Sequence, residues 1–300
     1  MKIMVMGGAG FVGTNLIKRL LKDKQEVHAV DNYSTGFKSN HQDGCTYHEY
    51  DLASEHMLGI YVDHGTYPYW REYEFDLIFN VAALARIQPS LKNPLKTIRN
   101  NFNSALHTLE WARQNNTPVV FAGSSTLHHG LWGSPYAWSK YGGEQLCELY
   151  NKVYDLPISI CRFYNVYGPH QLEDGAYATV VGIFERQYRE GKPLTITANG
   201  EQRRDFTHID DIVDGLVRCG DILVTDRSHE ISGQAYELGR GKNFSINELA
   251  NMFGEDYPTE YIPARKGEYP FTLADYTKAN QELGWTPTLD IKDYIKTKVK

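Results

Sequence analysis

The 300 residues, 41 % of them hydrophobic and with a formal net charge of -6, suffice for one large or two modest domains with a buried core and a ligand cleft. No basic stripe is present, and doublets such as Arg203-Arg204 are too short to form a nucleic-acid surface. The first apolar run is too short for a signal-peptide core and nothing later approaches a membrane span, so a cytoplasmic protein without nucleic-acid or membrane partners is expected. The four cysteines, Cys45, Cys147, Cys161 and Cys219, lie far apart with no histidine at zinc-ligand spacing, which predicts buried thiols and no metal site.

The chain opens with an apolar strand, Ile3 to Met6, then Gly7-Gly8-Ala9-Gly10-Phe11-Val12-Gly13, then a helical pattern from Phe11 to Leu21. A strand, glycine turn and helix in that order place a helix N-terminus under a bound pyrophosphate, with glycines allowing close approach. The spacing G-x-x-G-x-x-G is one residue wider in the turn than the common dinucleotide fingerprint. The next strand, Glu26 to Val30, ends in Asp31-Asn32, with Asp31 18 positions after Gly13. An acid there can bind the adenosine ribose hydroxyls and favours NAD over NADP.

Strands are expected next at Cys45 to Tyr50, Phe75 to Asn80, Val119 to Ala122 and Ile158 to Arg162, with helices near Asn101 to Asn115 and Tyr136 to Tyr154. This rhythm predicts an α/β fold, a Rossmann-type doubly wound parallel sheet whose ligands lie at the carboxyl ends of the strands. The polar, aromatic segment Ser54 to Tyr73 interrupts it as an irregular connection. Beyond Gly168-Pro169, a helix at Val180 to Arg189, a strand at Leu194 to Thr197 and the stretch from Ser245 onward suggest a smaller C-terminal substrate-binding lobe. Asp210 to Cys219 and Tyr236 to Leu238 return to the sheet. The expected division is 1–165 with 206–240 for the dinucleotide domain, and 166–205 with 241–300 for the lobe.

The chemistry concentrates after the fifth strand, which runs into Gly123-Ser124-Ser125-Thr126 and is followed by Tyr136-Ala137-Trp138-Ser139-Lys140. At i and i+4 on a helix, Tyr136 and Lys140 share a face. Bringing a phenol of pKa ~10 to ionisation near neutrality takes roughly 4 kcal/mol, which the Lys140 ammonium and a positive nicotinamide ring are expected to supply. A nearby serine can relay the proton or hold the substrate oxygen. The Y-x-x-x-K pattern recurs at Tyr188 with Lys192 and at Tyr294 with Lys298, but only Tyr136 follows a strand end bearing hydroxyls.

Together with Asp51-Leu52, Val81-Ala82-Ala83, Asn101, Arg162 to Pro169 and Arg204-Asp205-Phe206, these motifs resemble the extended short-chain dehydrogenase/reductase family, and within it the nucleotide-sugar 4-epimerases. The resemblance covers nearly the whole chain. It implies a recycled NAD, catalysis by Ser125, Tyr136 and Lys140, and a transient 4-keto sugar formed from a UDP-hexose or UDP-N-acetylhexosamine. By the same likeness Gly7, Gly10, Phe11, Val12, Asp31, Asn32, Asp51, Leu52, Ala82, Ala83, Asn101, Ser124 and Tyr164 join Tyr136 and Lys140 around the cofactor. Ser125, Thr126, Asn165, Arg204, Arg265, Glu268 and Thr272 meet the nucleotide-diphosphate sugar. Two guanidiniums suit a diphosphate.

The related 4,6-dehydratases need an acid pair after the catalytic hydroxyl, where this chain holds Thr126 and Leu127. A uronic-acid decarboxylase, and a non-catalytic NAD-binding regulator on the same fold, are the alternatives to an epimerase. Thr272 stands where a bulky tyrosine excludes 2-acetamido sugars in some epimerases, so tolerance of N-acetylated substrates is expected. Only 10 residues separate Ser125 from Tyr136, fewer than is usual in the family, which predicts a sugar site that is more open or covered by another segment or subunit. His128 and His129 in this short loop are expected to pack or face water. The resemblance also implies a homodimer through the helices near 101–115 and 136–154.

Overall fold

The computed structural model describes residues 1–54, 73–225 and 230–299, which places most of the segment Ser54 to Tyr73 outside the described residues. Seven parallel strands form the central sheet: β1 (Lys2–Met6), β2 (Glu26–Asp31), β3 (Cys45–Glu49), β4 (Leu77–Asn80), β5 (Val119–Ser124), β6 (Ile158–Phe163) and Ala235–Leu238, in the order Ala235–Leu238, β6, β5, β4, β1, β2, β3. The order reverses at β1 and β4, the crevice where a doubly wound sheet binds its ligand. The helices α1 (Phe11–Lys22), α2 (Ile87–Lys92), α3 (Pro94–Asn115), α4 (Thr126–Gly130), α5 (Pro135–Tyr154), α6 (Val180–Arg189) and α7 (Ile209–Thr225) follow in chain order.

Both faces of the sheet are covered, so its strands are apolar on both sides. Ile3 and Val5 of β1 point to a core shared with Leu16, Ile17 and Leu20 of α1 and with Ile212 and Leu216 of α7. Met4 and Met6 point oppositely, to a core with Leu109 and Trp111 of α3 and Cys147 of α5. The alternation is the period of two along a strand. Pro at the first turn starts both α3 and α5, where a missing N–H costs nothing, and the Ser134 hydroxyl caps α5 by accepting from Ala137 N.

A third core, built by Phe184, Leu194, Ile196, Phe244, Leu249 and Phe253, belongs to the smaller lobe. Its strands are β7 (Val166–Tyr167), β8 (Leu194–Thr197), β9 (Arg203–Asp205) and β10 (Thr207–His208), with β12 (Asn243–Ser245) and β13 (Thr259–Ile262) following the sheet strand β11 (Ala235–Leu238). They form three separate pairs, β7 with β10, β9 with β12 and β8 with β13. The helices α8 (Ile246–Asn251), α9 (Thr277–Leu283) and α10 (Ile291–Lys296) complete the chain. Ala279 and Leu283 of α9, with Trp285 after it, pack into the first core although they lie within the 241–300 stretch expected for the lobe. The Trp285 indole donates to the Asp211 carbonyl at 2.8 Å, which fixes that return.

Candidate active site

A cavity of about 800 Å³ runs along the carboxyl ends of the sheet and under the smaller lobe. Its floor is the turn between β1 and α1. Gly7 has φ +85°, and a Cβ there would lie 2.8 Å from the Ala82 Cα; a Cβ on Gly13 would lie 2.1 Å from the Gly7 carbonyl oxygen. The turn can therefore close this tightly only with glycine at these positions. Gly10, Phe11 and Val12 line the same floor, and Asp31, Asn32, Asp51 and Leu52 line one end. Asp31 is buried and accepts from Ala9 N at 2.9 Å and from Tyr33 N at 2.8 Å, so the acid that can take a ribose also fastens the glycine turn. Burial raises its carboxyl above the usual range, against the lowering effect of those amide bonds. Ala82 and Ala83, at the end of β4, form the wall between the two ends.

At the other end, β5 delivers Ser124, and the turn after it delivers Ser125 and Thr126, all buried beside Tyr136. The Tyr136 phenol donates to Ser124 Oγ at 3.5 Å, and Ser124 Oγ also accepts from Thr126 Oγ1 at 3.0 Å. Of the two serines, Ser124 is the one bonded to the phenol, while Ser125 N is bonded to the Phe163 carbonyl. Burial raises the Tyr136 phenol above its ordinary value; the Ser124 bond and the charge of Arg86 oppose the rise, and Glu144 adds to it. Asn165, Arg204, Arg265, Glu268 and Thr272 line the roof contributed by the lobe.

Three residues expected at the cofactor stand elsewhere. Tyr164 is fully buried away from the cavity, its phenol donating to Glu237 Oε2 at 2.8 Å; Phe163, its neighbour on the opposite face, lines the cavity instead. Asn101 braces the wall from behind, accepting from Leu84 N at 2.8 Å and donating to Ser139 Oγ at 2.9 Å. Asn100 and Ser104, four apart on α3, present the face that lines the cavity. Lys140 does not line the cavity, and its ammonium sits 4.6 Å from the centre of the Phe121 ring. Burial lowers that ammonium to about 8, against the raising effects of Glu144 and Cys147. The positive charge acting on the Tyr136 phenol is that of Arg86, a residue without a motif to announce it.

The short connection after β5 is covered by the chain's own C-terminal part. Gly130 has φ +148°, and a Cβ there would lie 2.0 Å from Cε1 of Tyr269. The Tyr269 ring lines the cavity and its buried hydroxyl has no partner. The segment carrying it is held from three sides: Gln88 Nε2 donates to the Lys266 carbonyl, Arg204 Nη1 to the Tyr269 carbonyl, and Arg203 N to the Pro270 carbonyl. The short loop therefore meets a second segment of the same chain, one of the arrangements expected for it. His128 Nε2 lies 2.6 Å from Glu237 Oε1, whereas the side chain of His129 lies outside the described residues. Among the described residues no cluster could hold a metal ion.

The model of the NAD dependent epimerase/dehydratase family matches residues 3–239. The chain belongs to that family. It is 29 % identical to a UDP-glucuronate 4-epimerase of Thermodesulfobacterium geofontis, over 99 % of this chain and 94 % of that protein. Among solved structures it resembles a UDP-glucose 4-epimerase of Thermotoga maritima with UDP-glucose, at a TM-score of 0.88 and 26 % identity, covering 100 % of this chain and 97 % of the other. The UDP-glucose 4-epimerase of Thermus thermophilus, solved with NAD, matches at a TM-score of 0.85 and 25 % identity, covering 100 % and 98 %. NAD is the cofactor of this family member, an NAD-dependent nucleotide-sugar epimerase, and the tight glycine turn at the N-terminus of α1, which lines the cavity with Gly7, Gly10 and Gly13, suits its pyrophosphate.

Proposed function

We propose that the chain interconverts the two C4 epimers of a UDP-sugar through a 4-keto intermediate, with NAD bound throughout. The observation that carries this reading is a single cavity joining three features: the glycine floor, the Ser124 and Tyr136 hydroxyl pair, and the arginines of the roof. Bound NAD supplies a hydride acceptor that can return what it takes. Tyr136 removes the proton of the sugar 4-hydroxyl and later gives it back, with Ser125 holding the oxygen and Ser124 passing the proton on. Lys140 supports the cofactor side from beneath. Arg204 and Arg265 bind the diphosphate, and Glu268, 3.9 Å from Arg204 Nη2, meets the nucleotide ribose.

Elimination chemistry is disfavoured by the residues themselves. Thr126 spends its hydroxyl on Ser124, and Leu127 has no proton to give. Thr272 leaves room for a 2-acetamido group, so UDP-N-acetylglucosamine is taken as well as UDP-glucose. The Thr272 hydroxyl accepts from Asp205 N at 3.0 Å and Asn165 Nδ2 at 2.9 Å, however, so a tyrosine there would break the roof as well as fill the pocket. We place the enzyme in the cytoplasm as a homodimer through α3 and α5, whose Leu95, Leu149, Val153 and Tyr154 are exposed. Light scattering at twice the 34.3 kDa chain mass supports the dimer, and the monomer mass rejects it.

The test is proton NMR of the protein with NAD and each of UDP-glucose, UDP-N-acetylglucosamine and UDP-glucuronate. Convergence on one mixture from either epimer establishes the reaction, and Tyr136→Phe is expected to slow it by about 1,000-fold while NAD still binds. A stable keto sugar, a pentose product or no change in any of the three rejects it.

A further inference from the structure

Arg86 extends from the start of α2 into the cavity beside Tyr136, and neither the glycine floor nor the diphosphate roof makes use of it. Its guanidinium donates from Nη1 to the Ala85 carbonyl at 2.9 Å and from Nε to the Ala178 carbonyl at 3.3 Å. No carboxylate among the described residues pairs with it, whereas Arg204 has Glu268. Five donors on a planar fork with two in use leave an edge for a further acceptor.

The position of this edge selects the kind of acceptor. Arg86 and Tyr136 line the same cavity, and the charge of Arg86 acts against the burial-driven rise of the Tyr136 phenol, which puts the guanidinium toward the reacting end of the sugar. Tyr269, whose hydroxyl also lacks a partner, is within the same electrostatic reach of Tyr136. The acids of the cavity stand apart from this group: Asp31 and Asp51 lie at the other end, and Glu268 faces Arg204. A substrate that displaces water from this cavity strips hydration from the guanidinium. A neutral hydroxymethyl group would leave the charge without a partner, a costly arrangement, whereas a carboxylate would answer it with charge-assisted hydrogen bonds.

We propose that Arg86 is the receptor for a carboxylate on the sugar, so that the chain prefers a nucleotide-diphosphate uronic acid over the corresponding neutral hexose. This rests on the reading of the cavity as a nucleotide-sugar site. The other anion available to Arg86 is the diphosphate common to every such substrate, and the two sources differ in what they predict.

The experiment is isothermal titration calorimetry of the full chain, saturated with NAD, with UDP-glucuronate and UDP-glucose, for the wild type, Arg86→Met and Arg86→Gln. The wild type is expected to bind the uronate ~10-fold more tightly, the scale of a hydrogen bond to a charged group, and both variants to bring the ratio of the two affinities close to one. A wild-type ratio at or below one overturns the inference without any variant. A ratio left intact by the substitutions overturns it too, because a diphosphate contact would weaken both ligands alike. Tight uronate binding without C4 exchange would reject the epimerase reading and leave Arg86 in its assigned place. Rapid exchange of UDP-glucose without uronate preference would do the reverse.

Discussion

Lys140 shows how far one side chain can be read in advance. Its position one turn after Tyr136 follows from the sequence, but its charge is spent beneath the wall, over Phe121 and toward Glu144. Burial holds the folded ammonium at about 8, below the ordinary 10.5. If its charge supports turnover, epimerase activity is expected to fall as pH rises through about 8, and Lys140→Arg to remove that alkaline limb because a guanidinium stays protonated. A pH profile of kcat for both proteins checks this. The stability effect has the opposite sign: between 8 and 10.5 the unfolded lysine holds a proton that the folded one has lost, so this group's contribution to stability rises with pH across that window. Tyr164 and Asn101 mark the limit of motif reading. A motif fixes a position along the chain, while one step along a strand or 100° around a helix decides which side of a wall the group occupies. Arg86 and Tyr269 carry no motif at all, and only their convergence on Tyr136 reveals them.

Elements were legible where a single periodicity governed them. The central strands were all foreseen, most of them because burial on both faces leaves continuous apolar runs flanked by turns, although in the edge strand β3 only His48 is buried. Helix α3 begins at Pro94, earlier than the apolar pattern that starts near Asn101, since its first turns are polar and Pro at the N-terminus was the available signal. The pairing of Gly130 with Tyr269 was not legible, because nothing local connects residues so far apart. It is testable nonetheless. Gly130→Ala places a methyl against the Tyr269 ring at a φ that L-residues rarely adopt, and is expected to lower stability by roughly 1–3 kcal/mol. Adding Tyr269→Ala should recover the steric part of the loss and leave the backbone part. Urea denaturation of both single variants and the double variant measures the recovery; an additive result would reject the contact.

At the scale of the molecule, Asp205 ties β9 to the turn after β11 and to the segment at Ala274. It is fully buried at the end of β9, accepting from Arg240 N at 2.7 Å on one oxygen and from Gly241 N and Ala274 N at 2.9 and 3.0 Å on the other. Burial raises its carboxyl to about 6, with the three amide bonds acting against the rise. Asp205→Ala would strand those amides in the interior and is expected to cost about 3 kcal/mol, seen as a lowered midpoint in thermal unfolding. An unchanged midpoint would mean that other contacts hold these segments in place. The return of α9 and Trp285 to the first core was not legible, because an amphipathic helix does not state which apolar surface it will meet.

The closure of the short loop by Tyr269 ties substrate choice to assembly. The serines and Tyr136, to which we assign the chemistry as a proposal, come from the first half of the chain, whereas the Tyr269 ring beside them arrives near the end, on a segment pinned by residues 88, 203 and 204. The catalytic apparatus can therefore stand complete while the recognition surface is still missing, and a few residues around position 269 could be exchanged to redirect the enzyme to a new sugar without disturbing the residues that move its proton and hydride.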